Sequence, residues 1–391
     1  MQIDGPVNIV RIEGKVNNIN KILYVFFDYH HSLHEQSKCD SYDSVNITKF
    51  FYNLFKNISY KLDFFLEIRQ TQYNHYDSSN YNKMYIHENI KLYNKIKNAK
   101  FKNTRFHYID IRDILMETIQ LSFDWLIFSD PLNNIRKTRI INSDDYNNYI
   151  YNIKLLYNRL ILIHKIILNI KDDNNYKNKL KKLFPSGKKK SEQKIYYVLY
   201  KIFYRYSHYS LFTNFINNYI KQILDYLNIC ISTITKTLNL LYDHEKFLAN
   251  NKKTYYEESF GIGDLYNDRR NKVYDQLIYN LDMLTNEIQS SIMSSLTLIT
   301  DLFFIRRFID KDYINFAISY TGGTHSINYL YNLVKYFNFK ITHVSYSDVN
   351  INELNKLAKN DDIYKFGYQL ENNGEQCSIL TSFPTELINF I

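Results

Sequence analysis

Runs of apolar residues that end in ionisable side chains recur along this chain. One covers residues 22–32 (ILYVFFDYHHS) and carries Asp28, His30 and His31, and another covers residues 316–326 (FAISYTGGTHS) and carries His325. Each run predicts a buried strand with polar groups at its carboxyl end. Ligands of open α/β sheets bind at that edge. We therefore expect the two strand ends to meet, with His30 beside His325.

The first third of the chain alternates between strand and helix patterns. Strands are predicted at residues 8–12, 22–28, 63–68 and 105–111, and helices at residues 45–57 and 87–99. Gly14 and the Asn-rich residues that follow it predict a turn between the first two strands. This alternation is typical of an α/β layer with a mostly parallel or mixed sheet.

Helical periodicity dominates the middle of the chain. Apolar residues spaced by three and four positions form seams over residues 153–170, 216–241 and 277–299, which predicts an antiparallel array of long helices. Strand patterns return at residues 316–320, 340–345 and 378–383, with a helix at residues 326–337. The predicted fold is an α/β domain with flanking helices and a large all-helical insertion.

This change of pattern divides the chain into three segments. Residues 1–112 form the first part of the α/β domain, residues 113–310 form the helical insertion, and residues 311–391 form the second part, which completes the sheet. The insertion therefore interrupts one domain and is not an independent neighbour.

Composition bounds the function only loosely. The 391 residues are 23% charged and 45% hydrophobic, as in ordinary folded proteins, and the formal net charge is +9. That charge permits contact with nucleic acid or an acidic surface. Lysines are concentrated in residues 177–194 (KNKLKKLFPSGKKKSEQK), which is typical of a solvated linker between helices and also of a phosphate-binding patch.

Cysteine use and hydropathy bear on the cellular location. Cys39, Cys230 and Cys377 are odd in number and far apart, so we expect neither a disulfide framework nor a zinc knuckle, and a reducing compartment fits. Residues 1–21 are too polar for a signal peptide, and the longest apolar runs are far shorter than a membrane span. We expect a cytoplasmic protein, or a virion protein in the viral case, that does not enter a membrane.

The ionisable residues at predicted strand ends form a candidate site: Asp28, His30, His31, Glu67, Asp110 and His325. Two or three histidines with one or two carboxylates can hold a divalent transition metal with open positions, as a hydrolase needs to make hydroxide near neutral pH. The same groups can act without metal as general base and acid. One such histidine alone is better explained as a partly buried hydrogen-bonding residue, whereas the pair His30 and His325 favours function.

Gly322 and Gly323 stand close before His325. Glycine permits a positive φ and a close approach of the backbone to a ligand, and a helix starting at residue 326 would present free N–H groups to an anion. A plain strand-to-helix turn also uses glycine, although two in succession are unexpected in a chain with 9 glycines. These two glycines are therefore candidate ligand-binding positions.

Four short motifs, in this order, resemble the superfamily of erythromycin esterases, TraB, ChaN and the Tiki metalloproteases. They are Phe27-Asp-Tyr-His30 for a first G-x-x-H-type motif, Phe65-Leu-Glu67 for a strand that ends in glutamate, Arg269-Arg270-Asn271 for a helix start, and Gly322-Gly-Thr-His325 for the last motif. Order and spacing agree over most of the α/β part, and the helical middle fits that architecture.

The resemblance implies a set of metal ligands. His30 and His325 would bind a divalent ion (Mn, Zn, Co or Fe) or activate water, and Glu67 would be a ligand or a base. Substrates in that superfamily range from esters to peptide bonds, and some members bind haem. The substrate of this chain, the identity of its metal and its oligomeric state therefore stay open.

The resemblance also implies roles around the ligands. Arg270 would steady a developing negative charge, and Asp28 and Asp110 would orient the ligands. Two positions depart from the family pattern. Phe27 stands where the family has glycine, which narrows the space beside His30, and Asp28 stands where many members have glutamate, which shortens the carboxylate by one methylene.

Three functions are compatible with these observations. The first is a metal-dependent hydrolase with its active site at the strand ends. The second is a catalytically degenerate member of the same fold that serves as a structural or interaction protein, for example in a virion. The third is a nucleic-acid-binding protein that uses residues 177–194. The bias toward Asn, Ile, Lys and Tyr (38 Tyr) resembles proteins of large DNA viruses and other A/T-rich genomes.

Overall fold

The structure is a computed structural model, and it describes residues 1–30, 39–69, 84–96, 101–112, 143–171, 213–243, 265–360, 362–371 and 375–388. The strands in these residues are β1 (Gln2–Asp4), β2 (Asn8–Val16), β3 (Ile19–Asp28), β4 (Val45–Asn46), β5 (Leu62–Arg69), β6 (Thr104–Asp110), β7 (Phe316–Gly322), β8 (Lys340–Val344) and β9 (Cys377–Ile379). The helices are α1 (Ile47–Asn57), α2 (Tyr85–Ile96), α3 (Ser143–Lys171), α4 (Thr213–Asp243), α5 (Leu265–Asp310), α6 (Gly323–Phe337), α7 (Ile351–Asn360), α8 (Ile363–Tyr368) and α9 (Thr385–Ile388).

The main sheet has six strands in the order β6-β5-β7-β3-β2-β8. β6, β5, β7 and β3 run parallel to their neighbours, while β2 pairs antiparallel with β3 and with β8. The predicted α/β fold with a mixed sheet and flanking helices is therefore confirmed. β7 lies between β5 and β3, so a strand from the last quarter of the chain forms the centre of a sheet that the first quarter begins.

The chain divides into two compact units. The first contains Met1–Asp113, Tyr209–Phe215 and Thr300–Ile391, and the second contains Ile114–His208 and Ile216–Ile299. The three apolar seams of the middle lie on α3, α4 and α5, which are long helices as predicted. The boundary between the units falls inside α5 at Thr300, so the last turns of this helix belong to the first unit.

The hairpin between β2 and β3 is tighter than predicted. β2 continues through Gly14 to Val16, and the turn consists of Asn17 and Asn18, whose φ angles are 49° and 65°. Two successive positive φ values match the twist of a β-hairpin, and asparagine tolerates them. The prediction was right for the Asn-rich residues, which form the turn, and wrong for Gly14, which lies inside β2 and is needed for packing. A β-carbon at Gly14 would lie 2.5 Å from the Phe339 ring.

Aromatic side chains fill the core between the sheet and α1. Phe50, Phe51 and Phe55 on α1 are buried against Phe26 of β3 and Phe64 of β5. Each of these rings contributes on the order of 2 kcal/mol by leaving water. The helix starts at Ile47, where the side chain of Asn46 accepts a hydrogen bond from the N–H of Thr48.

Lys21 ties β3 to the end of α5. Its side chain is buried, and its Nζ donates hydrogen bonds to the carbonyl oxygens of Phe308 (3.0 Å), Lys311 (2.8 Å) and Ile314 (2.7 Å). Phe308 lies in the last turn of α5, where carbonyls have no partner within the helix, so the ammonium group satisfies one of these and two carbonyls of the segment that follows.

A second, three-stranded sheet has the order β4-β1-β9 and contains the region of the last predicted strand. A disulfide joins Cys39 to Cys377 of β9, so the expectation of no disulfide was wrong. The sequence separation of 338 residues hides the pair, because only folding brings the two Cα atoms to 4.9 Å. Cys230 is a free, buried cysteine on an apolar seam of α4.

One stretch of helix, Tyr279–Asp310, is long and apolar enough to cross a membrane by length and composition, and its most apolar 18-residue window has a mean hydropathy of 1.4. Of its most apolar window, 67% is buried inside the structure, as in the core helix of a soluble protein. The basic segment 177–194 and His31 lie outside the described residues, so the expectations about them stay predictions.

Candidate functional site

Three neighbouring parallel strands end at the same edge of the main sheet. β3 ends at Asp28, which pairs in register with Gly322, the last residue of β7. β5 joins the other side of β7 and carries Glu67 near its end. His30 follows β3 and His325 follows β7 in the first turn of α6. The structure therefore brings His30, Glu67 and His325 together.

Glu67 lies between the two imidazole rings. The Nε2 atom of His30 is 3.6 Å from one carboxylate oxygen, Oε2, and the Nε2 atom of His325 is 3.4 Å from the other, Oε1. The Glu67 and His325 side chains are only 4% and 6% exposed, whereas the His30 side chain is 43% exposed. Solvent and any ligand therefore reach this group from the side of His30.

Asp28 and Tyr320 orient the His30 ring. The Nδ1–H of His30 donates to Asp28 Oδ2 at 2.8 Å, and the buried Tyr320 hydroxyl donates to Asp28 Oδ1 at 2.6 Å. Because the carboxylate occupies Nδ1, the Nε2 atom is the one turned toward Glu67.

Asp301 and Asn328 orient the His325 ring in the same way. The Nδ1–H of His325 donates to Asp301 Oδ1 at 2.5 Å, and the side-chain amide of Asn328 donates to Asp301 Oδ2 at 2.5 Å. Asp301 is fully buried near the end of α5. Both histidines thus have an aspartate behind Nδ1 and the shared Glu67 in front of Nε2.

Backbone and arginine contacts fix the Glu67 carboxylate. The N–H of Gly322 donates to Oε2 at 2.7 Å, and Arg112 Nη2 donates to Oε1 at 3.0 Å. Asp110 holds the Arg112 guanidinium through hydrogen bonds of 2.9 Å from both Nε and Nη2. Asp110 therefore acts on the candidate site through Arg112.

The electrostatics of the cluster favour protonated, positively charged rings on both sides of an ionised Glu67. Burial lowers the pKa of His30, but its hydrogen bonds to Asp28 and Glu67 outweigh this and raise the pKa to about 10. Burial likewise opposes protonation of His325, yet the charges of Glu67 and Asp301 raise its pKa to about 10. Burial also opposes ionisation of Glu67, while the charge of His325 and the contact with His30 hold its pKa well below its usual range.

The two glycines differ in their roles. A β-carbon at Gly322 would lie 2.8 Å from His30 Nε2 and 3.4 Å from Glu67 Oε2, so this position must lack a side chain. At Gly323 a β-carbon would meet nothing within 4 Å. The expected positive φ was wrong, since φ of Gly322 is −56° and Gly5 has the positive φ among the described glycines. Helix α6 also begins at Gly323, earlier than predicted, so His325 is helical.

Arg270 lies in α5 within the second unit, and its side chain is outside the described part of the chain, so its role stays a prediction. The sequence patterns did not reveal Asp301 or the link from Arg112 to Glu67. The signal for Asp301 was a single acid in the apolar stretch 296–309, where burial of a carboxylate requires a partner.

The chemical types of the donor atoms match those that bind divalent metal ions in proteins. Two imidazole Nε2 atoms and a carboxylate are ordinary ligands of Zn, Mn, Co and Fe, and an aspartate behind each Nδ1 is the usual support of such ligands. Two ligands of a tetrahedral ion lie about 3.4 Å apart, and each histidine Nε2 lies at a similar distance, 3.6 or 3.4 Å, from a different oxygen of Glu67. As the described side chains stand, however, no three His, Cys, Asp or Glu residues form a ready-made metal site.

Residues 1–388 match a protein-family model, which covers nearly the whole chain including every residue of this cluster. The chain belongs to the DUF5847 family. DUF5847 is described as a "Family of unknown function".

Relatives of this DUF5847 chain occur in Acanthamoeba polyphaga mimivirus. Uncharacterized protein R160 is 30% identical over 99% of this chain and 97% of its own length. Uncharacterized protein R161 is 31% identical over 98% of this chain and 97% of its own length, and Uncharacterized protein R706 is 30% identical over 98% and 96%. No solved structure matches the chain.

These matches support the expected viral character of the chain. The DUF5847 description and the names of the relatives mention neither an activity nor the erythromycin esterase superfamily. The resemblance to that superfamily therefore stays a prediction from the sequence motifs.

Proposed function

We propose that this chain is a metal-dependent hydrolase of the erythromycin esterase, TraB and Tiki type, with His30, Glu67 and His325 as its metal ligands. One observation carries the proposal. Two histidines present Nε2 to a single carboxylate at 3.6 and 3.4 Å, while a separate buried aspartate occupies each Nδ1. A histidine that only stabilises the fold has no need of this repeated arrangement.

Charge balance supports a divalent cation. The cluster contains the carboxylates Asp28, Glu67, Asp110 and Asp301, and Arg112 is the cation besides the two histidines in the described contacts. With both imidazoles neutral, a buried group would carry an excess of negative charge, which is costly away from water. Two protons or one divalent ion supply the same compensating charge.

The residues of the site have distinct tasks in this proposal. A bound divalent ion supplies Lewis-acid polarisation of a carbonyl and lowers the pKa of water. His325, buried and fixed by Asp301, holds its position throughout. His30, at the exposed side, meets the substrate first, and Asp28 keeps its Nδ1 protonated so that Nε2 stays available. Arg112 and the N–H of Gly322 donate to the Glu67 carboxylate and keep it aimed at both rings.

Metal binding is the direct test. The purified chain is incubated with Mn²⁺, Zn²⁺, Co²⁺ or Fe²⁺, dialysed, and its metal content measured by elemental analysis. We expect about one ion per chain for one of these metals, and loss of that ion in His30→Ala and in His325→Ala. His343→Ala is the matched control, because His343 lies on β8 outside the cluster and contacts Thr342. Equal metal content in all variants, or none in the unmodified chain, would overturn the proposal.

Hydrolysis is tested on the metal-loaded chain. A panel of simple esters and peptides covers the substrate classes that the resemblance implies. We expect turnover of one class that disappears in Glu67→Gln and persists in His343→Ala.

A second candidate function is a structural or interaction protein, for example in a virion, built on a degenerate site. The absence of a ready-made set of three ligands among the described side chains favours it. This second function predicts that the unmodified chain binds no stoichiometric metal. It also predicts that His30→Ala folds normally. A third, DNA binding through residues 177–194, predicts steeply salt-dependent binding that is lost when Lys188, Lys189 and Lys190 are neutralised.

A further inference from the structure

Arg307, in the last turn of α5, has no carboxylate partner among the described residues. Its Nη2 donates to Nδ1 of His107 at 2.8 Å, and the other N–H groups of its guanidinium have no acceptor in the part of the chain that the structure describes. His107 supplies no compensating charge, because burial and the charge of Arg307 lower its pKa below the usual value. Arg307 is partly exposed, so a ligand from solution can reach its free donors.

The other arginine side chains described in the first unit each form an ion pair. Arg11 pairs with Glu13 and Glu386, Arg105 with Asp63, Arg112 with Asp110 and Glu67, and Arg306 with Asp310. Asp310 lies close to Arg307 in the sequence, but it contacts Arg306 and Lys311 instead. Arg307 is thus the arginine of this set whose charge remains uncompensated.

Arg105 adds a second positive charge on the same face of the sheet. Arg105 and His107 are alternate residues of β6, so their side chains point to one face. The Asp63 carboxylate accepts from Arg105 Nε at 2.8 Å and from His107 Nε2 at 2.7 Å. Arg105, Asp63, His107 and Arg307 therefore form a continuous series of contacts. Two arginines against one carboxylate leave this group with an excess of positive charge.

This group lies away from the candidate metal site, although both use strand β5. Asp63 and Glu67 are four residues apart on β5, which corresponds to about 13 Å along a strand. Arg105 is the second residue of β6, whereas Arg112 lies beyond the end of that strand. The arginine group is therefore displaced toward the amino ends of β5 and β6, and Glu67 toward the carboxyl ends.

We propose that Arg307 and Arg105 bind a phosphate group, either of free phosphate or of a phosphate ester. The inference goes beyond the proposed function, since neither residue is a proposed metal ligand. A guanidinium donates paired N–H groups to phosphate oxygens, and a phosphate offers three acceptor oxygens where a carboxylate offers two. Arg307 supplies the free donors, and Arg105 supplies a second charge from a side chain that is 36% exposed.

A purely structural role for Arg307 is the alternative explanation. Its hydrogen bond to Nδ1 fixes the tautomer of His107, so that the Nε2–H donates to Asp63. This role uses one N–H group of the guanidinium and predicts no saturable binding of an anion. Phosphate binding therefore separates the two explanations.

Calorimetric titration with inorganic phosphate, at an ionic strength held constant with sodium chloride, is the direct test. We expect one saturable site on the full chain, and an affinity lowered by at least about tenfold in Arg307→Met. Lys359→Met is the matched control, because it removes a positive charge from an exposed position of the same unit, and it should bind like the unmodified chain. No saturable binding, an unchanged affinity in Arg307→Met, or an equal loss in Lys359→Met would overturn the proposal.

Two further ligands define the chemical class that the site accepts. Acetate should bind more weakly than inorganic phosphate, and an equal affinity for acetate overturns the assignment to phosphate. A nucleoside monophosphate that binds more tightly than inorganic phosphate identifies a phosphate ester as the ligand, and the reverse order identifies the free ion.

Histidine resonances in the NMR spectrum test the site without a change at Arg307. A phosphate that neutralises Arg307 offsets a charge that lowers the pKa of His107, so saturating phosphate should raise this pKa. His107→Gln assigns the resonance. His343 is the internal control, because burial and the charge of Arg11 lower its pKa, and phosphate should leave it unchanged.

An unchanged titration of His107, or equal shifts of both histidines, would contradict the proposed site. Neither the calorimetry nor the NMR measurement involves a divalent metal or turnover. Failure of the hydrolase proposal would therefore not decide these results.

Discussion

Gly322 lies against the imidazole of His30, so closely that a β-carbon at position 322 would be 2.8 Å from Nε2. This relationship links the carboxyl ends of β7 and β3 at the point where they pair in register. The backbone at the end of β7 therefore packs directly against His30, which follows β3.

Gly322→Ala should displace His30 from Glu67 while the fold persists. A displacement of this size near a metal ligand lowers metal affinity or turnover by about 10- to 100-fold. Metal binding by calorimetry and thermal unfolding give the two readouts. Gly323→Ala is the matched control, because a β-carbon there meets nothing within 4 Å. An equal loss in both variants would show that helix initiation, not the contact with His30, is responsible.

Asp301→Asn should weaken the site through His325. The substitution keeps the size of the side chain but removes the charge that accepts the Nδ1–H of His325. Loss of such a supporting carboxylate lowers metal affinity by about 10- to 100-fold. Asp310→Asn on the same helix serves as the control, since its carboxylate contacts Arg306 at 3.7 Å. If Asp310→Asn has the same effect, the charge of the helix end and not the contact with His325 matters.

Arg112→Met should destabilise the first unit. Arg112 is the shared partner of Asp110 and Glu67, and its side chain is only 16% exposed. Removing one partner of a buried ion pair leaves uncompensated charge, which lowers the free energy of unfolding by about 3 kcal/mol. Urea unfolding followed by circular dichroism measures the loss. Arg112→Lys keeps the charge but not the guanidinium that contacts both carboxylates, so it should be more stable than Arg112→Met. Equal free energies of unfolding in the two variants would argue against a charge effect.

His107 should make the fold sensitive to mild acid. Arg307 donates to its Nδ1 at 2.8 Å, so the Nε2–H of the neutral ring donates to Asp63 at 2.7 Å. Burial, reinforced by the charge of Arg307, lowers the pKa of His107 below its usual value. The unfolded chain therefore binds the proton more readily, and stability falls as the pH drops below about 6.5.

His107→Gln tests this dependence. Glutamine can donate to Asp63 and accept from Arg307 without titrating. We expect the variant to lose less free energy of unfolding than the unmodified chain between about pH 7 and pH 5. Parallel urea titrations at several pH values give the comparison, and identical slopes with pH would rule out His107 as the titrating group.

The sequence predicted the parts of the site that follow from strand direction. Apolar runs located β3, β5 and β7, and polar residues at their ends indicated the shared edge where His30, Glu67 and His325 meet. Strand order was not accessible, because the apolar runs are alike and any of them could have occupied the centre. The hairpin turn was predicted too wide, because a glycine inside a strand, required by the Phe339 ring, has the same sequence signal as a glycine in a turn.

Contacts between distant segments were the part that sequence patterns missed. Asp301 comes from a helix that periodicity assigned to the insertion, and only the packing of its last turns in the first unit brings it to His325. The Cys39–Cys377 disulfide depends on β1 lying between β4 and β9. Neither has a local signal, since both depend on the three-dimensional path of the chain.

The central place of β7 determines when this protein can fold. β3 and β5 emerge early from the ribosome and can pair with β2 and β6, yet each lacks the neighbour on its other side until residues 316–322 have been made. The two halves of the sheet therefore join only after the helical middle has been synthesised, and such long-range pairing is slow. A nascent chain interrupted before residue 316 exposes two apolar strand edges, and such edges promote aggregation. Synthesis of β7 supplies the strand that covers both edges.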